Sequence, residues 1–222
     1  MAGKTLIVAP HPDDEILGCG GTLLRRKAEG GVLAWLIVTG MTEQTGWPAE
    51  RIQRRDAEIK RVAELVGFDQ VFNLYLPPAG LDELPMGDLV STFSTVFTSF
   101  APEEVFVPHR GDVHSDHRVT FDVVAACAKW FRYPSVRRVL AYETVSETEF
   151  GLARETAFQP NYFVDIAAYL DRKLEIMTAY PSELGEFPFP RSLRAIRALA
   201  EWRGASAGYL AAEAFELLRE RQ

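Results

Sequence analysis

Thr5-Leu6-Ile7-Val8-Ala9-Pro10-His11-Pro12-Asp13-Asp14-Glu15 decides how this chain is read. Five β-type residues, Thr5–Ala9, stop at Pro10, and a helical pattern runs from Asp14 to Glu29 before Gly30-Gly31 ends it. A strand that enters a helix through a short charged turn opens a βαβ unit. Further strands are expected at Val32–Thr39, Val71–Leu76, Glu104–Pro108 and Arg138–Tyr142, with helices between them at Ala49–Val66, Met86–Phe100 and Ser115–Phe131. Such alternation implies an α/β fold with a mainly parallel sheet covered by helices on both faces.

The last third changes character. Tyr162–Ile166 reads as one more strand, and Ala167–Ala179, Ser192–Arg203 and Gly208–Arg219 read as helices. With 222 residues and no repeat or long linker, the chain is expected to form one domain, a 1–150 core with a helical C-terminal extension over 151–222. Apolar residues make up 47% and charged ones 25%, so a core can form. The net charge of −7 argues against a general nucleic-acid binder. The two cysteines make no disulfide framework and suit a reducing, cytoplasmic setting. The apolar run Val32–Val38 is far short of the roughly 20 residues that span a bilayer, and the first residues carry no signal-peptide pattern.

All four histidines fall in two windows, each after a candidate strand. His11 sits in the first. The second reads Pro108-His109-Arg110-Gly111-Asp112-Val113-His114-Ser115-Asp116-His117. In open α/β sheets ligands bind beyond the carboxyl ends of strands, so the two turns can converge. His11, Asp14 and His117 would supply the two imidazoles and one carboxylate of a catalytic zinc site with an open position. In the bland alternative Asp13 or Asp14 only caps a helix, and His114 and His117 are exposed first-turn residues. Two windows at matching strand ends favour the metal.

His11-Pro12-Asp13-Asp14-Glu15 together with His114-Ser115-Asp116-His117 resembles the PIG-L (LmbE-like) family of zinc-dependent N-acetylglucosaminyl deacetylases. Arg55-Asp56-Ala57-Glu58 resembles its arginine-bearing second helix. Tyr142-Glu143-Thr144 and Pro190-Arg191-Ser192 through Trp202-Arg203-Gly204 resemble a bacterial subgroup tied to amino-sugar metabolism, although Phe189 stands where a histidine is expected. The resemblance implies a Rossmann-like three-layer sandwich, frequent oligomerisation, and zinc (or another divalent ion such as Fe2+) on His11, Asp14 and His117. It also implies that Asp13 is the general base, that His114 stabilises the tetrahedral intermediate, and that Asp116 orients that histidine. The chemistry agrees: a metal acidifies water, a carboxylate moves the proton, and an opposed donor meets the oxyanion.

Arg55 shares the helical face of Ile52, Ile59, Val62 and Val66, so it should be buried. It is expected to clamp sugar hydroxyls, the alternative being an ion pair to Glu58 or Asp88. His109 could donate to substrate or cap its turn, and Asp112 could brace the second window. Gly18, Gly20 and Gly21 fail the dinucleotide fingerprint because Leu23 occupies the third glycine position. Cys19 reads as packing. Met41–Trp47 could be a rim that stacks on a sugar or an ordinary loop. The expected activity is removal of an N-acetyl group from an amino sugar or its conjugate, with no nucleic-acid or membrane partner. The rivals are a non-haem iron oxygenase using the same triad and a sugar- or nucleotide-binding protein whose structural metal takes a fourth ligand.

Overall fold

The structure, a computed structural model, describes residues 3–222. Among these residues seven strands form one sheet: β1 (Lys4–Ala9), β2 (Val32–Thr39), β3 (Gln70–Leu76), β4 (Glu104–Pro108), β5 (Arg138–Tyr142), β6 (Tyr162–Asp165) and β7 (Ala212–Glu220). The helices are α1 (Asp14–Ala28), α2 (Ala49–Val66), α3 (Met86–Phe100), α4 (Ser115–Cys127), α5 (Leu170–Met177) and α6 (Leu193–Ala207). The strand order is β3-β2-β1-β4-β5-β7-β6. Strands β1 to β5 run parallel, and β7 is antiparallel to both β5 and β6.

Alternate residues of β1 feed two cores. Ile7 and Ala9 pack with Trp35, Phe106 and the α1 and α5 side, whereas Leu6 and Val8 meet Phe93, Phe97 and Phe100 of α3 and Val123 and Val124 of α4. Both faces of the central strands are therefore buried, which is why they read as unbroken apolar runs. The chain moves outward from β1 to β3, returns beside β1 as β4, and continues to β5. The order reverses between β1 and β4, and both histidine windows leave the carboxyl ends of those two strands. That crevice is where an open α/β sheet binds its ligand.

Two expectations are corrected. The segment expected as a helix over Gly208–Arg219 holds strand β7, so the last third carries the expected helices α5 and α6 and also completes one edge of the sheet. Its Ala, Glu and Leu content favours helix locally, but the tertiary slot between β5 and β6 overrides that preference. Helix α4 stops at Cys127 rather than Phe131. The glycines of α1 serve close packing. A Cβ on Gly18 would run into the Tyr142 ring, and one on Gly21 would lie 2.7 Å from Ile166. Among the described residues no helix is long and apolar enough to cross a membrane.

Candidate metal centre and its cleft

Asp14 opens α1 and His117 lies in the first turn of α4, so two helix starts aim side chains at the loop that carries His11. Asp14 Oδ2 lies 3.4 Å from His11 Nδ1 and 3.3 Å from His117 Nε2. The far nitrogens are tied down. His117 Nδ1 donates to Asp112 Oδ2 at 2.8 Å, and His11 Nε2 donates to Asp116 Oδ2 at 3.0 Å. With its proton on Nδ1, His117 presents an Nε2 lone pair that is buried and without a hydrogen-bond partner. An orphaned imidazole nitrogen beside a carboxylate oxygen fits a divalent cation. The three side chains can place ligand atoms within 4.8 Å of one another.

Without a metal the two imidazoles hold protons. Burial opposes charge on His11, yet Asp116 and Asp14 raise its pKa to about 9. Burial likewise opposes charge on His117, and Asp14 with Asp112 pushes its pKa well up. Asp14 is held far below the usual carboxylate range, against its burial, by the two imidazoles. A bound cation would displace protons from this set.

Asp13 points elsewhere. Its backbone lies at φ 134° and ψ −30°, and its side chain makes no helix cap. Oδ2 instead meets Arg191 Nη1 at 3.3 Å. Burial, then the charges of Asp14 and Glu183, raise the Asp13 pKa well above the ordinary value. His114 is the N-cap of α4, its Nδ1 accepting the Asp116 N–H at 3.1 Å. The proton of a neutral ring then sits on Nε2. Burial and the neighbouring His11 lower the His114 pKa, so a neutral donor faces the cleft. Asp116 differs from its expected role. Its carboxylate is 3.9 Å from His114 Nδ1 but 3.0 Å from His11 Nε2, and it also accepts the N–H groups of Ala79 and Leu81. It braces His11.

The cleft above these groups holds about 360 Å³. Met41 and Trp47 of the expected rim line it, as does Tyr75. Arg55 also lines it, but its donors are engaged. Nε faces Glu58 at 3.3 Å, Nη1 donates to Pro12 O at 3.1 Å, and Nη2 meets Glu183. The ion-pair alternative therefore describes Arg55, with Glu58 as one partner and Asp88 absent from its contacts. Of the two readings of His109, holding its turn is the one its contacts describe. Its Nδ1 bonds Glu216 at 3.2 Å, its Nε2 bonds Thr156 O at 2.7 Å, and it stands outside the cleft. It ties a surface turn to β7.

Sequence reasoning missed Arg191, Glu183, Glu15 and Tyr180. Ser192 caps α6, its hydroxyl accepting from Ala195 N at 3.2 Å, and this sets Arg191 at the helix entrance over the Phe189 ring. The Pro-Arg-Ser run before a helical pattern was the available signal. Glu15 is fully buried, accepts from Tyr180 Oη at 2.8 Å and from Asp13 N at 3.0 Å, and has its pKa raised to about 8, chiefly by burial.

The family model described as PIG-L, GlcNAc-PI de-N-acetylase, matches residues 6–128, more than half of the chain. A diacetylchitobiose deacetylase of Thermococcus kodakarensis is 27% identical over 95% of this chain and 81% of its own length. A 2'-N-acetylparomamine deacetylase of Streptomyces fradiae is 25% identical over 93% of this chain and 83% of its own. A conserved protein of Thermus thermophilus superposes with a TM-score of 0.79 at 29% identity, covering 98% of this chain and 96% of that one.

Proposed function

The chain belongs to the PIG-L family, and from that premise we propose that it is a metal-dependent deacetylase that hydrolyses the N-acetyl amide of an amino sugar or amino-sugar conjugate. The observation that carries the metal is the buried, unpartnered His117 Nε2 beside Asp14 Oδ2. His11, Asp14 and His117 would hold the ion, and nitrogen and carboxylate donors of this kind suit zinc. When bound, a zinc ion lowers the pKa of water from 15.7 towards about 7 and polarises a carbonyl oxygen.

The chain's own groups supply the rest. Asp13, whose buried carboxyl has a raised pKa, takes the proton of the attacking water and returns it to the departing amine nitrogen. The His114 Nε2–H, fixed by the cap bond at Nδ1, donates to the oxygen that gains negative charge. Asp112 and Asp116 keep the two liganding imidazoles in tautomer and orientation. Only three side chains group around the Asp14 site among the described residues, which favours an open catalytic site over a closed structural one.

The test is amine release from a panel of N-acetylated sugars, with metal analysis of the same sample. We expect about one divalent ion per chain, loss of activity on chelation, and recovery on adding zinc. Full activity in a metal-free sample would overturn the mechanism.

A further inference from the structure

We propose that Tyr75 is a specificity-determining residue, a fixed aromatic platform on which the ring beyond the N-acetylated sugar stacks, so that a cyclic aglycone is preferred to an open-chain one. The proposal rests on the deacetylase reading and narrows its substrate class.

The carboxyl end of β3 is irregular. Ile37 pairs with Asn73 but Thr39 pairs with Leu76, so Leu74 and Tyr75 together face Val38 alone. A bulge of this kind next to a binding site re-aims a side chain. Tyr75 takes φ 52°, in the left-handed region that glycine favours and a bulky side chain rarely enters. Two neighbours fit around it. Asn73 Oδ1 accepts the Tyr75 N–H at 3.0 Å, and Gly40 lies so near that a Cβ there would come 2.8 Å from the Tyr75 ring. The chain just beyond is tied to the metal centre, because Asp116, which braces His11, also accepts the N–H groups of Ala79 and Leu81. Backbone in a sparsely populated region persists only where its surroundings over-determine it, and such positions cluster at ligand clamps.

What this strained turn displays is a ring. Tyr75 is 50% exposed and lines the cleft, and it stacks on no aromatic or cationic side chain among the described residues. Trp47, by contrast, already lies 5.1 Å from the Arg51 guanidinium. Tyr75 and Met41 also border a second, more open groove of about 360 Å³, walled by Ile52, Gln44 and Gln53. The cleft carries the metal centre and the groove does not, so a conjugate that fills both passes over Tyr75. The flat C–H face of a pyranose is apolar and packs on an aromatic ring, while Gln44 and Gln53 offer its hydroxyls both donors and acceptors. An open-chain polyol has the hydroxyls but not the face.

The experiment measures kcat/KM of the zinc-loaded enzyme for N-acetylglucosamine β-linked to glucose and for the same sugar β-linked to glycerol, both neutral and both hydroxylated. We expect the glucose conjugate to be favoured by about five- to tenfold. Tyr75→Phe keeps the ring and should hold that ratio within about twofold. Tyr75→Gly removes the ring and relieves the left-handed backbone, so the ratio should approach one while the melting temperature stays near the parental. A parental ratio near one overturns the proposal, as does a ratio that survives in Tyr75→Gly. So does a Tyr75→Gly protein that melts early and loses rate on both conjugates alike, which would make Tyr75 a residue of the fold. If neither conjugate is hydrolysed, the deacetylase reading fails, and calorimetric binding of the same pair decides the platform. Tighter binding of the glucose conjugate by the parent but not by Tyr75→Gly then sustains it, and equal binding of the two by the parent ends it.

Discussion

Arg55 and Glu15 grip the two polar ends of a single peptide group. Arg55 Nη1 donates to Pro12 O at 3.1 Å, and the N–H of Asp13 in the same peptide plane donates to Glu15 Oε2 at 3.0 Å. Tyr180 joins both sides, its hydroxyl on Glu15 and its ring 5.7 Å from the Arg55 guanidinium. Asp13 is thereby held at φ 134°, where an L side chain is strained by about 1–3 kcal/mol. The strain separates two adjacent carboxylates, sending Asp14 to the imidazoles and Asp13 to Arg191.

This clamp predicts that Arg55 acts on turnover rather than on binding. Arg55→Met should lower kcat by about 10²-fold through misplacement of Asp13, with KM within about twofold and metal content unchanged. Glu15→Gln keeps the acceptor for Asp13 N–H and should retain most of the turnover, whereas Glu15→Leu should not. A raised KM with parental kcat in Arg55→Met would return Arg55 to the role of substrate clamp.

The neighbours Asp13 and Asp14 should fail differently. Asp14→Ala removes a ligand, so metal affinity and rate should fall together. Asp13→Ala leaves His11, Asp14 and His117 in place, so metal content should hold while kcat falls by roughly 10²–10⁴-fold. Rate and metal content measured on both variants decide it. Loss of metal from Asp13→Ala would reverse the assignment.

The reading from sequence succeeded where local pattern and tertiary demand agree. β1, β2, β4 and β5 are buried on both faces, and each is a short apolar run with a turn residue near its end. The two histidine windows were legible because each needs only a strand end and a following helix. β7 was not, because its residues prefer helix and only the gap between β5 and β6 makes them a strand. Burial of Glu213 shows why a helix would not serve there: its carboxylate takes the N–H groups of Gly21 and Thr22 and the Lys173 ammonium. The choice between the two readings of Arg55 and of His109 was not legible, because their partners Glu183 and Glu216 lie 128 and 107 residues away. Periodicity shows that a side chain is buried, not who meets it.

The α1 glycines are packing residues, and substitution should show it. Gly18→Ala and Gly21→Ala each press a methyl into a filled contact, Tyr142 in one case and Ile166 in the other. Overpacking of this kind costs about 1–3 kcal/mol, so thermal melting of both variants should fall by several degrees. Parental stability in either would mean that α1 stands further from the sheet than these contacts require.

His109 gives the protein a stability that depends on pH. Nε2 faces a carbonyl and Nδ1 a carboxylate, both acceptors only, so the ring carries both protons. Burial disfavours that charge, but Glu216 and Thr156 O outweigh it and raise the pKa above 6.5. The unfolded chain keeps the ordinary value. Below pH 6.5 both states are charged and the native contacts contribute in full. As pH rises, the unfolded ring loses its proton first, and the advantage disappears as the native ring titrates through its raised pKa. His109→Gln cannot titrate, so it should be less stable than the parent by about 1.5–3 kcal/mol at pH 6, the range for bonds to charged groups. That deficit should shrink at pH 9. Denaturant unfolding of metal-loaded parent and variant at the two pH values measures it, and a deficit that grows with pH would mean that His109 is neutral in the native state.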